Sequence, residues 1–184
     1  MRTVHGLWIA LLLLLATLTR SEAQSNIEPN KWESSFTANT LTSDDLNAFE
    51  TRGMQKVRDF YNYLGFVCSP NYDARLRETG KKQATELFYD SNSTISGTRL
   101  MKFMDSCSGK VLRNSFQVSE VSMKDKLVVD KENPQQYDGV VVCKVEDGWG
   151  HNHDKTVTLI LCKRDKKFGA DTKQVWTIFI GDIK

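Results

Sequence analysis

Beyond residue 16 the chain has no apolar run near the ~20 residues needed to cross a hydrocarbon layer of roughly 30 Å, so no transmembrane segment is expected there. Charge of one sign is also missing: 25 Lys and Arg face 23 Asp and Glu. Binders of phosphate backbones carry a visible basic excess on one face, so the balance argues against a nucleic-acid partner. The short clusters Lys81-Lys82 and Lys163-Arg164-Asp165-Lys166-Lys167 read as solvated surface, and the second carries its own acid. Cysteine is scarce, with no Cys-x-x-Cys spacing and no histidine close in sequence to any thiol, which removes the usual signature of thiol catalysis or thiolate metal binding. No internal repeat or low-complexity tract is present.

What is present begins with a targeting pattern. Arg2 and His5 make a short polar start, Leu7 to Ala16 is uninterruptedly apolar, and Ser21-Glu22-Ala23 puts small residues three and one positions before Gln24. Signal peptidase reads this layout, so residues 1–23 are expected to be removed and the remainder secreted. Removal takes Arg2, Arg20 and Glu22 and leaves 23 basic against 22 acidic side chains. A chain of about 160 residues fits one domain with its own core. Cys68, Cys107, Cys143 and Cys162 are an even set in an oxidising compartment, where two disulfides are the default.

Residues 24–40 have no period and read as a flexible arm, with Trp32 and Phe36 able to pin it to the body. A helix follows. Thr42 suits the N-cap, Asp44 and Asp45 suit the first turn, Leu46, Phe49, Val57, Phe60 and Leu64 share a face, and Gly65 suits a stop. Ser69-Pro70 reads as the start of a second helix carrying Leu76, Ala84, Leu87 and Phe88, bent at Thr79-Gly80. Asp90 to Thr94 reads as a turn or a very short strand, and Gly97-Thr98 opens a short third helix ended by Cys107-Ser108-Gly109. The period then becomes two. Phe116-x-Val118 and Val121-x-Met123 are out of phase, which predicts a bulge or bend; Val140 to Val145, Thr156 to Lys163 and Val175 to Ile180 are further strands of an antiparallel meander. Helices before strands make an α+β domain: three N-terminal helices on a strongly curved antiparallel sheet.

From Leu46 to Ile183, the long first helix, Leu87-Phe88-Tyr89, the Gly97-Thr98 entry and the closing Val175-Trp176-Thr177-Ile178 strand resemble the nuclear transport factor 2-like (SnoaL-like) superfamily, above all its small secreted nematode members. The resemblance implies a cone-like, cystatin-like fold over residues 41–184, an apolar pocket and a frequent homodimer. Phe60, Tyr61, Trp176 and Ile178 are the candidates to line that pocket, although aromatic residues alternating in a strand are commonly plain core. The superfamily hosts enzymes and plain binding proteins, so the resemblance implies no single activity.

Cys143 and Cys162 are symmetric about Asn152 and His153, so a hairpin centred there would set them opposite each other and leave Cys68 to meet Cys107; sequence alone leaves the connectivity open. His151-Asn152-His153-Asp154 offers three metal-ligand types, but a hairpin loop holds them loosely, and the expectation is a polar loop with no metal and no cofactor. Tyr61, Tyr63, Tyr72, Asp73 and Asp90 are the ionisable residues of the helical part available to acid–base chemistry, and nothing singles one out. Asn92-Ser93-Thr94 is a complete glycosylation sequon in a surface turn. The reading is a secreted, non-enzymatic domain that binds a small apolar ligand or an extracellular protein. The alternatives are a pocket enzyme of isomerase or dehydratase type, and a cystatin-type protease inhibitor, which Gln117 to Val121 disfavours by lacking the glycine of the cystatin binding loop.

Overall fold

The computed structural model describes residues 37–108 and 116–184. The proposed signal peptide and most of the arm lie outside them. Helix α1, Ser43–Cys68, starts as its sequence dictates: the Thr42 side chain accepts the Asp45 N–H while the Asp45 carboxylate accepts from the Thr42 backbone, a complete capping box. Its buried stripe includes Phe49, Val57, Phe60 and Leu64. Gly65 does not stop it. The helix runs one further turn and ends where Ser69, the residue before Pro70, is forced into extended backbone.

Pro70 therefore sits in a turn rather than at a helix start. The Ser69 hydroxyl accepts the Asn71 N–H, and helix α2, Ala74–Glu86, begins only at the Asp73 cap, whose carboxylate accepts the Leu76 N–H at 2.8 Å. Thr79-Gly80 leaves α2 unbroken. A Cβ on Gly80 would sit 3.2 Å from the Phe66 Cβ, so the glycine lets α2 lie close against α1.

Two small strands follow: β1 (Thr94–Ile95), at the end of the segment expected to be a turn or a very short strand, and β2 (Thr98–Arg99), where the third helix was expected to begin. Ser96 and Gly97 join them with φ of 48° and 77°, the positive pair that a tight two-residue hairpin needs. Helix α3, Leu100–Cys107, comes next. The remaining strands are β3 (Gln117–Val129), β4 (Gln136–Glu146), β5 (Asn152–Phe168) and β6 (Asp171–Ile183).

The domain is α+β, with a six-stranded sheet in the order β2-β1-β6-β5-β4-β3. Strands β3 to β6 form the expected antiparallel meander. The sheet as a whole is mixed, because β1 runs parallel to β6 through Ile95 and Ile183, and Phe88 makes a parallel bridge to Ile180. The chain returns from the helices to the edge of its own last strand, and a parallel pairing is the consequence of that crossover. In β3 the anticipated break falls between Ser119 and Ser122, with Glu120 at φ 52°. Two more irregularities follow, between Met123 and Asp125 and between Asp125 and Val128, and the latter sets Lys126 and Leu127 against Gly139 alone. There the buried Glu50 carboxylate of α1 accepts the Leu127 N–H at 3.0 Å.

Helix α1 lies on one face of the sheet. A Cβ on Gly53 would overlap the Leu159 side chain and touch Ile178, which identifies Leu159, Leu161, Ile178 and Ile180, all 1 % exposed or less, as the layer beneath the helix. Removing such side chains from water is the main stabilising term, about 1.5–3 kcal/mol each. The alternate positions Val140, Val142, Thr158 and Ile160 are half-exposed on the opposite face.

Candidate functional site

All four residues expected to line a pocket are consumed by packing: Phe60 is 0 %, Ile178 1 %, and Tyr61 and Trp176 4 % exposed. Phe60 meets Tyr61 and Phe88 edge-on at ring separations of 5.0 and 5.1 Å. Trp176 turns to other neighbours. Its indole N–H donates to the Ala38 carbonyl at 2.8 Å, Tyr137 packs edge-on at 5.6 Å, and the Lys163 ammonium lies 5.4 Å from its ring centre. The helix pair and Trp176 thus belong to separate contact groups.

The ionisable candidates of the helical part do not converge either. Asp73 caps α2, and Asp90 accepts the N–H groups of Asn92 and Ser93 at 2.7 and 3.0 Å. Tyr72 is exposed and stacks on Phe66; Tyr63 is half-buried. Burial, helped by the neighbouring Cys143 thiol, pushes the Tyr61 phenol above its ordinary range. Glu50, which the sequence pattern passed over as a polar residue beside Phe49, is the buried carboxylate of the helix–sheet interface. Its Oε1 is committed to Leu127.

No disulfide joins the four buried cysteines. The expected Cys143–Cys162 bond fails on register: Cys143 lies opposite Lys155, and Cys162 opposite Gln136, seven positions away along the ladder. At about 3.3 Å per residue that is a separation of roughly 23 Å, against the 7 Å or less that a disulfide spans between Cα atoms. The second expected pair, Cys68 and Cys107, closes α1 and α3, where both side chains are buried. Burial raises the thiols of Cys143 and Cys162 above their ordinary value, against the pull of Lys155 and Arg58 on the first and Arg164 on the second.

The β4–β5 turn runs from Asp147 to His151, with Glu146 opposite Asn152. Asp147 and His151 close it through the Asp147 N–H and the His151 carbonyl at 2.9 Å. One Asp147 oxygen, Oδ1, accepts the N–H groups of Trp149 and His151 at 2.9 and 3.0 Å. The other, Oδ2, lies 3.2 Å from both His151 Nδ1 and His153 Nε2. Burial of the Asp147 side chain opposes ionisation, but these four hydrogen bonds outweigh it and draw the carboxyl down to about 2. The sequence reading had paired the two histidines with Asp154. Strand alternation sends Asp154 to the other side, opposite Lys144, and Asp147 completes the group from across the turn. The Asp147-Gly148 turn pair was the available signal. Asp147, His151 and His153 are the one such group of metal-capable donors among the described residues, all donor atoms lying within 4.8 Å of one another.

On the sheet face away from α1, Val140 stands opposite Thr158, Val142 opposite Thr156, and Ile160 opposite Phe179. At one end of that sheet the Arg164 guanidinium lies over the Tyr89 ring at 4.6 Å, and Tyr89 meets Phe179 edge-on. Asn92 is exposed in its turn, while the sequon hydroxyl of Thr94 donates to Asp182 at 2.9 Å. No described helix is long and apolar enough to cross a membrane. No family model, curated protein or solved structure matches the chain.

Proposed function

We propose that the chain is a secreted, non-enzymatic binding domain of the nuclear transport factor 2-like type that docks a protein partner on the sheet face bearing Val140, Val142, Thr158 and Ile160. The observation that carries this is the contrast between the two faces. The helix side is filled by its own side chains, including all four candidates for a pocket. The opposite side presents half-exposed β-branched residues in directly opposed pairs. Protein docking is therefore preferred to a small apolar ligand. The pocket-enzyme alternative is disfavoured because the ionisable candidates of the helical part do not converge and the buried Glu50 already accepts a backbone N–H.

Native mass spectrometry of the protein secreted from eukaryotic cells tests the proposal. The expected spectrum is a defined complex, either a dimer or a stoichiometric assembly with another protein, that Ile160→Lys abolishes without unfolding the domain. A monomer that sheds a small mass on denaturation would transfer the assignment to ligand binding. A clean monomer would overturn both. The same material should begin at Gln24 and carry a glycan at Asn92 that Asn92→Gln removes.

A further inference from the structure

We propose that Asp147, His151 and His153 form a binding site for a divalent transition-metal ion at the tip of the β4–β5 hairpin. The argument begins with geometry. Two donors bound to one tetrahedral ion at about 2.0–2.1 Å stand about 3.3 Å apart. Asp147 Oδ2 is 3.2 Å from a ring nitrogen of each histidine, so two edges of such a polyhedron are already formed. The third edge, between the two imidazoles, lies within the 4.8 Å limit of the group.

Pre-positioning comes from the turn. Asp147 Oδ1 is fixed by two backbone N–H groups, which leaves Oδ2 aimed at the imidazoles. Hydrogen bonds of this kind to the oxygen that does not face the metal orient metal-binding carboxylates. His151 and His153 stand two positions apart, so strand alternation puts both rings on one side. Their side chains are 72 % and 47 % exposed, against 15 % for Asp147, so an ion can reach the group directly from solvent.

Chemistry narrows the occupant. Two imidazole nitrogens and one carboxylate oxygen suit Zn²⁺, Cu²⁺, Ni²⁺ or Co²⁺; Ca²⁺ and Mg²⁺ would require several more oxygen ligands. Three protein ligands leave at least one position to water, which is an open rather than a structural site. In the metal-free state Oδ2 accepts a hydrogen bond from each ring nitrogen it faces when that nitrogen carries the imidazole proton. Binding requires the neutral tautomer of each ring that carries its proton on the other nitrogen; because both rings are exposed, water takes the proton from the nitrogen facing Oδ2 and returns one to the other nitrogen, so no net proton is released and no co-reactant is needed.

Isothermal titration of the full mature protein with ZnCl₂ tests the site, with CaCl₂ and MgCl₂ as controls. One Zn²⁺ per chain is expected, with no saturable heat from Ca²⁺ or Mg²⁺. Binding should be lost in the His151→Ala/His153→Ala double variant, weakened at least tenfold in Asp147→Asn, and unchanged in Asp154→Asn. Each variant is first shown to keep the wild-type circular dichroism spectrum. As a readout independent of affinity, the ring resonances of His151 and His153 should move on adding Zn²⁺. Absence of saturable Zn²⁺ binding would overturn the proposal. So would binding that survives the double histidine variant, which would place the ion at the thiols, or an Asp154→Asn variant as damaged as Asp147→Asn.

Discussion

The Glu50 carboxylate of α1 accepts the backbone N–H of Leu127 at 3.0 Å, at the point where β3 departs from its pairing with β4. The irregularity between Asp125 and Val128 deprives one strand residue of a ladder partner, and the helix supplies a replacement. A buried N–H without an acceptor costs about 1–3 kcal/mol. Glu50→Ala is therefore expected to lower unfolding free energy by about 2 kcal/mol, whereas Glu50→Gln, which keeps a carbonyl oxygen, should lose about half that or less. Urea titrations report both. Equal losses in the two variants would mean that the bond to Leu127 is not what Glu50 contributes.

Gly53 makes the closest approach between α1 and the sheet. Alanine is favoured over glycine in a helix interior by about 1 kcal/mol, but overfilling a packed core costs about 1–3 kcal/mol. The added methyl would overlap Leu159, which is fully buried and has little room to yield. The clash should win, so Gly53→Ala is expected to destabilise by about 1 kcal/mol. In a double-mutant cycle with Leu159→Ala, the pair should lose clearly less than the sum of the single losses. Strict additivity would show that the two residues do not compete for the same space.

What the sequence revealed is what neighbours along the chain decide. The Thr42 cap, the Asp45 partner and the apolar stripe of α1 are local, and the strand alternation of β4 to β6 is local too. Hidden from it were matters of register. The real register differs from one centred at Asn152 and His153 by seven positions, an odd slip that exchanges the two faces, and the alternation is silent there because Val140-Val141-Val142 and Leu159-Ile160-Leu161 are apolar on both faces. The real centre is chosen by Asp147, whose carboxylate collects the N–H groups inside the turn. Sequence adjacency set Asp154 beside the histidines, whereas Asp147 reaches them only across the closed turn. Glu50 was illegible for a related reason: its partner is a strand N–H 77 residues away, and no local pattern announces a bulge that needs an acceptor.

The register makes a chemical prediction for the two sheet cysteines. Cys143 and Cys162 are buried, and burial raises both thiols, so little reactive thiolate is available in the native protein. Alkylation at pH 8 should be slow at both positions and become fast in urea. A non-reducing peptide map should contain no Cys143–Cys162 cross-link. Finding that cross-link in secreted, unscrambled protein would require a hairpin register different from the one described.

Tyr61, Cys143 and Cys162 together set the response to alkali. Burial raises all three in the folded state, whereas in the unfolded chain the thiols titrate near 9.0 and the phenol near 10.0. The unfolded state therefore releases protons first as pH rises. Each group's contribution is fully present below its unfolded value and is lost above it, with a slope approaching about 1.4 kcal/mol per pH unit. Stability measured by urea unfolding should hold to about pH 8.5, fall from about pH 9 and steepen above pH 10. Tyr61→Phe should flatten the upper limb only, since it removes the phenol and leaves the ring that packs on Phe60; Cys143→Ala should flatten the limb that begins near pH 9. A Tyr61→Phe curve parallel to wild type above pH 10 would mean that the phenol is not shielded by the core, and that the packing of α1 over Cys143 is looser than the structure describes.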